Sequence, residues 1–180
     1  MELVFDTNVL ITISCGHLFS EVEAEWPGIL VAPGAVAGEL KDKITNDVHL
    51  RCGRYPLGRP WLQDPVMFND EEHDRIEVHR KALAAPSDSY AAHAGEAEVL
   101  HYCETHENAI AILDDRDART RAKYLGLRSW NTEELMRRLV GSGRITCEES
   151  FDAYNRMVCA DRLAPGLLAA DFCVVGCSSR

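Results

Sequence analysis

No stretch of about 20 apolar residues occurs in the 180-residue chain, so the sequence offers no candidate for a membrane-spanning helix. The opening run Met1-Glu2-Leu3-Val4-Phe5-Asp6 lacks a basic segment followed by a long apolar core, which predicts a cytoplasmic rather than a secreted protein. Internal repeats and low-complexity tracts are also missing, which argues against solenoid and disordered classes. Positive charge is scarce: 19 Lys and Arg face 29 Asp and Glu, a net charge of -10, so the chain has no general attraction for a polyanion. Repeated short cysteine spacings are lacking as well. The seven cysteines are odd in number and scattered, and Cys173 with Cys177 finds no second pair or histidine to complete a tetrahedral zinc set. They are expected to be reduced, mostly buried thiols.

What is present is an ordinary globular balance, 46% hydrophobic and 27% charged residues, at a length suited to one domain. Glu2 to Phe5 reads as a strand, and Asp6-Thr7-Asn8 supplies capping residues before Val9, Leu10, Ile11 and Ile13. A second apolar run, Ile29 to Ala32, precedes Pro33 and a helix through Val36, Leu40 and Ile44. From about residue 47 to 89 the chain turns irregular at Gly53, Pro56, Gly58, Pro60 and Pro65, then acidic and helical from Asn69 to Ala84, as an insertion or lid would. A long helix is predicted over Ser87 to His106, a strand over Ala109 to Leu113, and a helix from the acidic turn to Tyr124. A short strand, Leu127 to Trp130, leads to helices over Thr132 to Val140, Cys147 to Cys159 and Pro165 to Val174. The alternation predicts an α/β fold, a three-layer α/β/α sandwich around a mainly parallel sheet, with additional C-terminal helices. Its core is expected over residues 1–131, with 132–180 as a helical extension packed on the same domain.

Function in such sheets gathers at the carboxyl ends of strands, and acids stand at two of them: Asp6, and the group Asp114, Asp115 and Asp117. Asp6 could equally serve as a helix cap. Glu96 shares a helix face with Val99, Leu100 and Cys103, so its carboxylate needs a metal, a proton or an arginine such as Arg119 or Arg121. Gly95 beside it leaves room for close approach. Glu98 lies on the opposite face with His101 and Thr105, where a solvated glutamate belongs. Glu39 flanks an apolar stripe and by itself is unremarkable. Oxygen-only ligands would favour Mg²⁺ or Mn²⁺, and such a site suits phosphate chemistry.

In combination these residues resemble the PIN-domain nucleases, including the VapC-like toxins and their relatives. LVFDTNVLI resembles the family's first acidic motif, VAGEL at Val36 to Leu40 the second, HAGEAEVL at His93 to Leu100 the third and AILDDRDAR at Ala111 to Arg119 the fourth. The resemblance covers about Met1 to Trp130. It implies a divalent-metal-dependent endoribonuclease in which Asp6, Glu39, Glu96 and Asp115 bind metal, Asp117 is a further acid nearby, and Thr7 and Asn8 orient the first motif. Arg116 and Arg119 are among the cations available to substrate, and Tyr55, Trp61, Trp130 and Tyr154 among the aromatics that could stack on bases. The implied partners are RNA, an antitoxin protein and a second copy of the chain. The third motif's GEAE form resembles a branch distinct from many compact toxins. A non-catalytic PIN-like module that binds RNA or protein is the alternative, and a phosphohydrolase with an aspartyl nucleophile ranks after it. Setting the four metal carboxylates aside would lower the charge excess from -10 to -6, leaving local basic segments to grip substrate.

Overall fold

The computed structural model describes residues 1–46, 58–89 and 92–173. Strand β1 (Glu2–Phe5) leads through Asp6 into helix α1 (Thr7–Cys15), followed by α2 (Phe19–Glu25), strand β2 (Leu30–Val31) and helix α3 (Gly34–Asn46). After the undescribed residues 47–57 come α4 (Pro60–Gln63) and α5 (Asp70–Leu83), then α6 (Ala94–Thr105), β3 (Ala109–Ile112), α7 (Arg116–Tyr124), β4 (Ser129–Trp130), α8 (Thr132–Gly141), α9 (Cys147–Cys159) and a 3-10 turn at Ala169–Phe172.

All four strands run parallel in the order β2-β1-β3-β4, so the fold is the α/β sandwich anticipated. The central strands explain why. Leu3, Val4 and Phe5 in β1 and Ala109 to Ile112 in β3 are buried on both sides of the sheet, which a parallel strand covered by helices requires. Five helices begin at a residue whose side chain accepts a free N–H of the first turn: Asp6 for α1, Asn69 with Glu72 in a capping box for α5, Asp115 for α7, Asn131 for α8, and Thr146 with Glu149 for α9. Leu135, Met136, Leu139, Ala153, Tyr154, Met157 and Phe172 share one apolar core with β1 and α1, so the C-terminal helices are packed into the sandwich.

Two predicted helices are corrected. The helix expected from Ser87 starts only at Ala94. Before it Asp88 accepts the Ala85 N–H, and His93 adopts a left-handed backbone (φ 63°), which a helix cannot pass through. The helix expected over Pro165 to Val174 shrinks to the 3-10 turn, with Val174 outside the described residues. Gly166 sits at φ 141°, and the Tyr154 hydroxyl donates to the Ala164 carbonyl and accepts from the Leu167 N–H, holding the segment out of helical pairing.

The cysteine expectation is corrected too. Packing Phe172 against Tyr154 at a ring separation of 5.5 Å brings Cys173 to the start of α9, where it is disulfide-bonded to Cys147 across a Cα separation of 5.4 Å. Cys15 is also disulfide-bonded, whereas Cys103 is a buried and Cys159 an exposed free thiol. Spacing carried no sign of this pairing, because 26 residues separate the two cysteines and only tertiary docking joins them.

Glu98 is the third departure. The face of α6 predicted to be solvated is covered, and Glu98 is buried with its carboxylate 2.7 Å from the Ala35 N–H, where it caps α3 from another helix. Burial raises its pKa, an effect opposed by that hydrogen bond. Removing the acceptor by Glu98→Ala strands a buried N–H and is expected to cost about 1–2 kcal/mol, a fall in melting temperature of roughly 3–6 °C. Glu98→Gln, which retains an acceptor oxygen, should lose less than half of that in the same thermal melt. Equal stability of Glu98→Ala and the parent chain would show that the cap contributes nothing.

Candidate metal and phosphate site

The end of β1 delivers Asp6 to the carboxyl edge of the sheet, and the end of β3 delivers Asp114 and Asp115 beside it, since Phe5 pairs with Ile112 and the Asp6 N–H donates to the Ile112 carbonyl. Asp6 performs the capping task with one oxygen and leaves the other free. Its Oδ2 accepts the Asn8 N–H at 3.1 Å and so caps α1, while its Oδ1 is buried with no hydrogen-bond partner. An orphaned carboxylate oxygen in a buried position is costly unless a cation or proton meets it.

Glu39 reaches the same edge from α3. Its Oε2 accepts from the Thr7 hydroxyl at 2.9 Å and its Oε1 from the Gly95 N–H at 3.1 Å, which joins α1, α3 and the first turn of α6 through one side chain. Gly95 permits this approach: a Cβ there would stand 3.2 Å from Glu39 Oε1 and 3.3 Å from Val36 Cγ2. Glu96 follows in the same turn and is buried. Neither Arg119 nor Arg121 makes an ion pair with it among the described residues.

The electrostatics show which acids share this region. Burial first, then the charges of Glu96 and Glu39, raise the Asp6 carboxyl well above the usual range, against the pull of the Asn8 and Thr7 N–H groups. Burial likewise raises Glu96, reinforced by Glu39 and Asp115 and opposed by its own N–H and by His93. Asp6, Glu39, Glu96 and Asp115 therefore form one mutually repelling group. Asp115 also caps α7, its Oδ1 accepting the Ala118 N–H at 2.7 Å. Asp114 is spent otherwise, since its two oxygens take the Thr132 N–H and hydroxyl at 2.8 and 2.7 Å and tie β3 to α8.

The remaining sequence candidates are distributed unevenly. Thr7 positions Glu39, as described, and Asn8 stands at the rim, where its Oδ1 accepts from Lys43 Nζ and Arg162 Nη2, each at 3.2 Å. Asp117 and Arg116 are exposed on the first turn of α7, with no hydrogen bond or ion pair to the acid group among the described residues. Arg119 lines a cavity of about 800 Å³ on the β4 side together with Lys123, Arg128 and Arg138. Trp61 stacks on Phe19 and donates to Glu23, Trp130 lies 3.8 Å beneath the Arg138 guanidinium, and Tyr154 is buried, while Tyr55 falls outside the described residues.

Sequence reasoning missed Arg162. It lies 154 positions from Asn8, beyond the last motif, and reaches the site only because α9 packs against α1 and the turn at Asp161 (φ 54°) directs the chain back. Lys43 lies 4.0 Å from Glu39 as well as touching Asn8. These two bring positive charge to the rim of an acidic pocket in a chain of net charge -10.

The donor chemistry suits a hard divalent cation: carboxylate oxygens, one of them an orphaned buried atom, whose repulsion a cation would relieve. The raised pKa values give this a measurable sign. A carboxyl whose folded pKa exceeds its unfolded value near 4 contributes stability that is complete below that value and is lost as pH rises through the folded one. Chain stripped with a chelator is therefore expected to be more stable near pH 5 than at pH 7.5, with Asp6→Asn removing most of the difference and millimolar Mg²⁺ raising stability at the higher pH. Thermal melts across that range check it; parallel pH profiles for the parent and Asp6→Asn chains would contradict the clustering.

A family model, DUF3368, described as a PIN domain, matches residues 2–162. No curated protein and no solved structure matches the chain.

Proposed function

The chain belongs to the PIN-domain family DUF3368, and from that premise we propose that it is a divalent-metal-dependent endoribonuclease. Family membership points to nuclease chemistry in general. The observation that carries the finer reading is the buried acid group itself, with Asp6 Oδ1 unpartnered and Glu96 unpaired by Arg119 or Arg121.

In this reading Asp6, Glu39, Glu96 and Asp115 hold Mg²⁺ or Mn²⁺. A cation bound there would acidify water and offset charge on the phosphate undergoing in-line displacement. The protein's own contribution is positional. Thr7 and the Gly95 N–H fix both oxygens of Glu39, so that its carboxylate keeps one orientation. Asp6 and Asp115 are fixed by the helix N–H groups that they cap. Lys43 and Arg162, converging on Asn8, supply donors for the phosphate backbone of the substrate. Asp117 and Arg116 are assigned the outer approach to the groove, and Arg119 a backbone contact farther along the β4 side. RNA is the substrate class we assign. The reading extends to a toxin role with an antitoxin covering the groove, and to a homodimer; light scattering of the pure chain and co-purification with the product of an adjacent gene test these two points.

Purified protein is expected to cleave a mixed RNA pool with Mg²⁺ or Mn²⁺ and to fall silent with chelator. Asp6→Asn and Glu96→Gln should each lower the rate by roughly 100-fold or more while retaining the parental circular dichroism. Arg162→Ala should lower kcat/KM by about tenfold, mainly through KM, if it grips a phosphate. RNA binding without cleavage in the parent chain, unchanged in the variants, would instead identify a non-catalytic module. A phosphorylated Asp6 would identify the aspartyl mechanism.

A further inference from the structure

Toward its C-terminal end, helix α6 carries a second group of side chains with metal-ligating chemistry. His101 and Glu104 are one helical turn apart and project together, and α5 contributes His79 opposite them. His79 Nε2 lies 3.2 Å from Glu104 Oε2, and one ligand atom from each of the three residues falls within 4.8 Å of the others. Glu72 adds a fourth candidate, its Oε1 3.9 Å from His101 Nε2, while its Oε2 is held by the Asn69 N–H.

Both imidazoles are buried, His79 at 3% and His101 at 0% exposure, and neither is fully satisfied. Both nitrogens of His101 and Nδ1 of His79 have no hydrogen-bond partner. A histidine placed only to fill space against Phe68, 5.4 Å from the His101 ring, would leave those polar atoms uncompensated, at a cost that an apolar residue of similar size avoids. A histidine placed as a ligand needs a lone pair, and burial supplies it: desolvation lowers the pKa of both rings and keeps them neutral.

We propose that His79, His101 and Glu104 form a second metal site, of the zinc class, that clips α5 onto α6. Two imidazoles and one carboxylate match the donor preference of zinc and its borderline neighbours, in contrast to the oxygen-only pocket at the other end of the helix. Tetrahedral coordination sets ligand atoms roughly 3.3 Å apart, so small side-chain rotations suffice to close the set. The fourth position goes to Glu72 or to water. Arg121 and Arg75 exert positive potential on the two rings, and the carboxylates of Glu104 and Glu72 offset it. The site is independent of the nuclease reading, because it shares no residue with the acid group.

Its test is titration of chelator-stripped full-length chain with Zn²⁺ against a chromophoric competitor, in the presence of excess Mg²⁺ to cover the oxygen site. One tight equivalent is expected in the parent and in the Asp6→Asn, Glu96→Gln double variant. Glu104→Gln should weaken it by at least tenfold, as should His79→Gln. Because the Glu104 side chain is 44% exposed, against 4% for His79, its replacement by Gln is expected to leave the fold intact by circular dichroism even if the buried histidine variant misfolds. Co²⁺ substituted for Zn²⁺ should give visible absorption bands of tetrahedral character that vanish in Glu104→Gln. Absence of a tight equivalent in the parent chain, retention of it in Glu104→Gln, or loss of it in the acid-pocket double variant would each overturn the proposal.

Discussion

Glu39 is bound at both oxygens, to the Thr7 hydroxyl on one side and to the Gly95 N–H on the other, and the arrangement of the site depends on this bridge. It sets the distance between α1, α3 and α6 at the point where Asp6 and Glu96 are buried beside it. Without a fixed Glu39 the other acids would be free to move apart, which is what their charges favour. The bridge is possible only because position 95 has no side chain, so a backbone N–H and a carboxylate occupy space that a Cβ would crowd.

The same helix, α6, is packed on both sides, and this explains how one short segment carries three kinds of polar chemistry. Glu96 turns to the acid pocket, Glu98 caps α3 at Ala35, and His101 with Glu104 meets α5. Glu98 and Glu104 find partners on α3 and α5, whereas the His101 nitrogens stay without a hydrogen-bond partner. The segment preceding α6 therefore has more than a covering role: α5 buries Ile76 and His79 and turns an otherwise solvated helix face into an interior one.

Charge is organised in the same local way. A net charge of -10 disfavours a polyanion at long range, yet Lys43 and Arg162 converge on Asn8 beside the acids, while Arg119, Lys123, Arg128 and Arg138 gather around a separate cavity on the β4 side. Steering depends on the field near the groove more than on the total. Arg162 arrives from beyond α9, so the C-terminal helices bring a cation to Asn8 as well as apolar area to the core.

The parallel sheet, the helix order and the positions of Asp6 and Asp115 at strand ends were legible in the sequence, because strands, caps and helix faces depend on residues within a few positions of one another. Glu96 was legible as a buried carboxylate for the same reason. Tertiary structure alone decided that Glu98 is a cap and not a solvated side chain, that Cys147 meets Cys173, that Arg162 reaches Asn8, and that His79 faces His101. Those contacts join residues 22 to 154 positions apart, and local periodicity holds no information about which helix covers which face. That choice belongs to the packing of whole elements, where burial of the apolar surfaces fixes the docking and the polar side chains find their partners as a result.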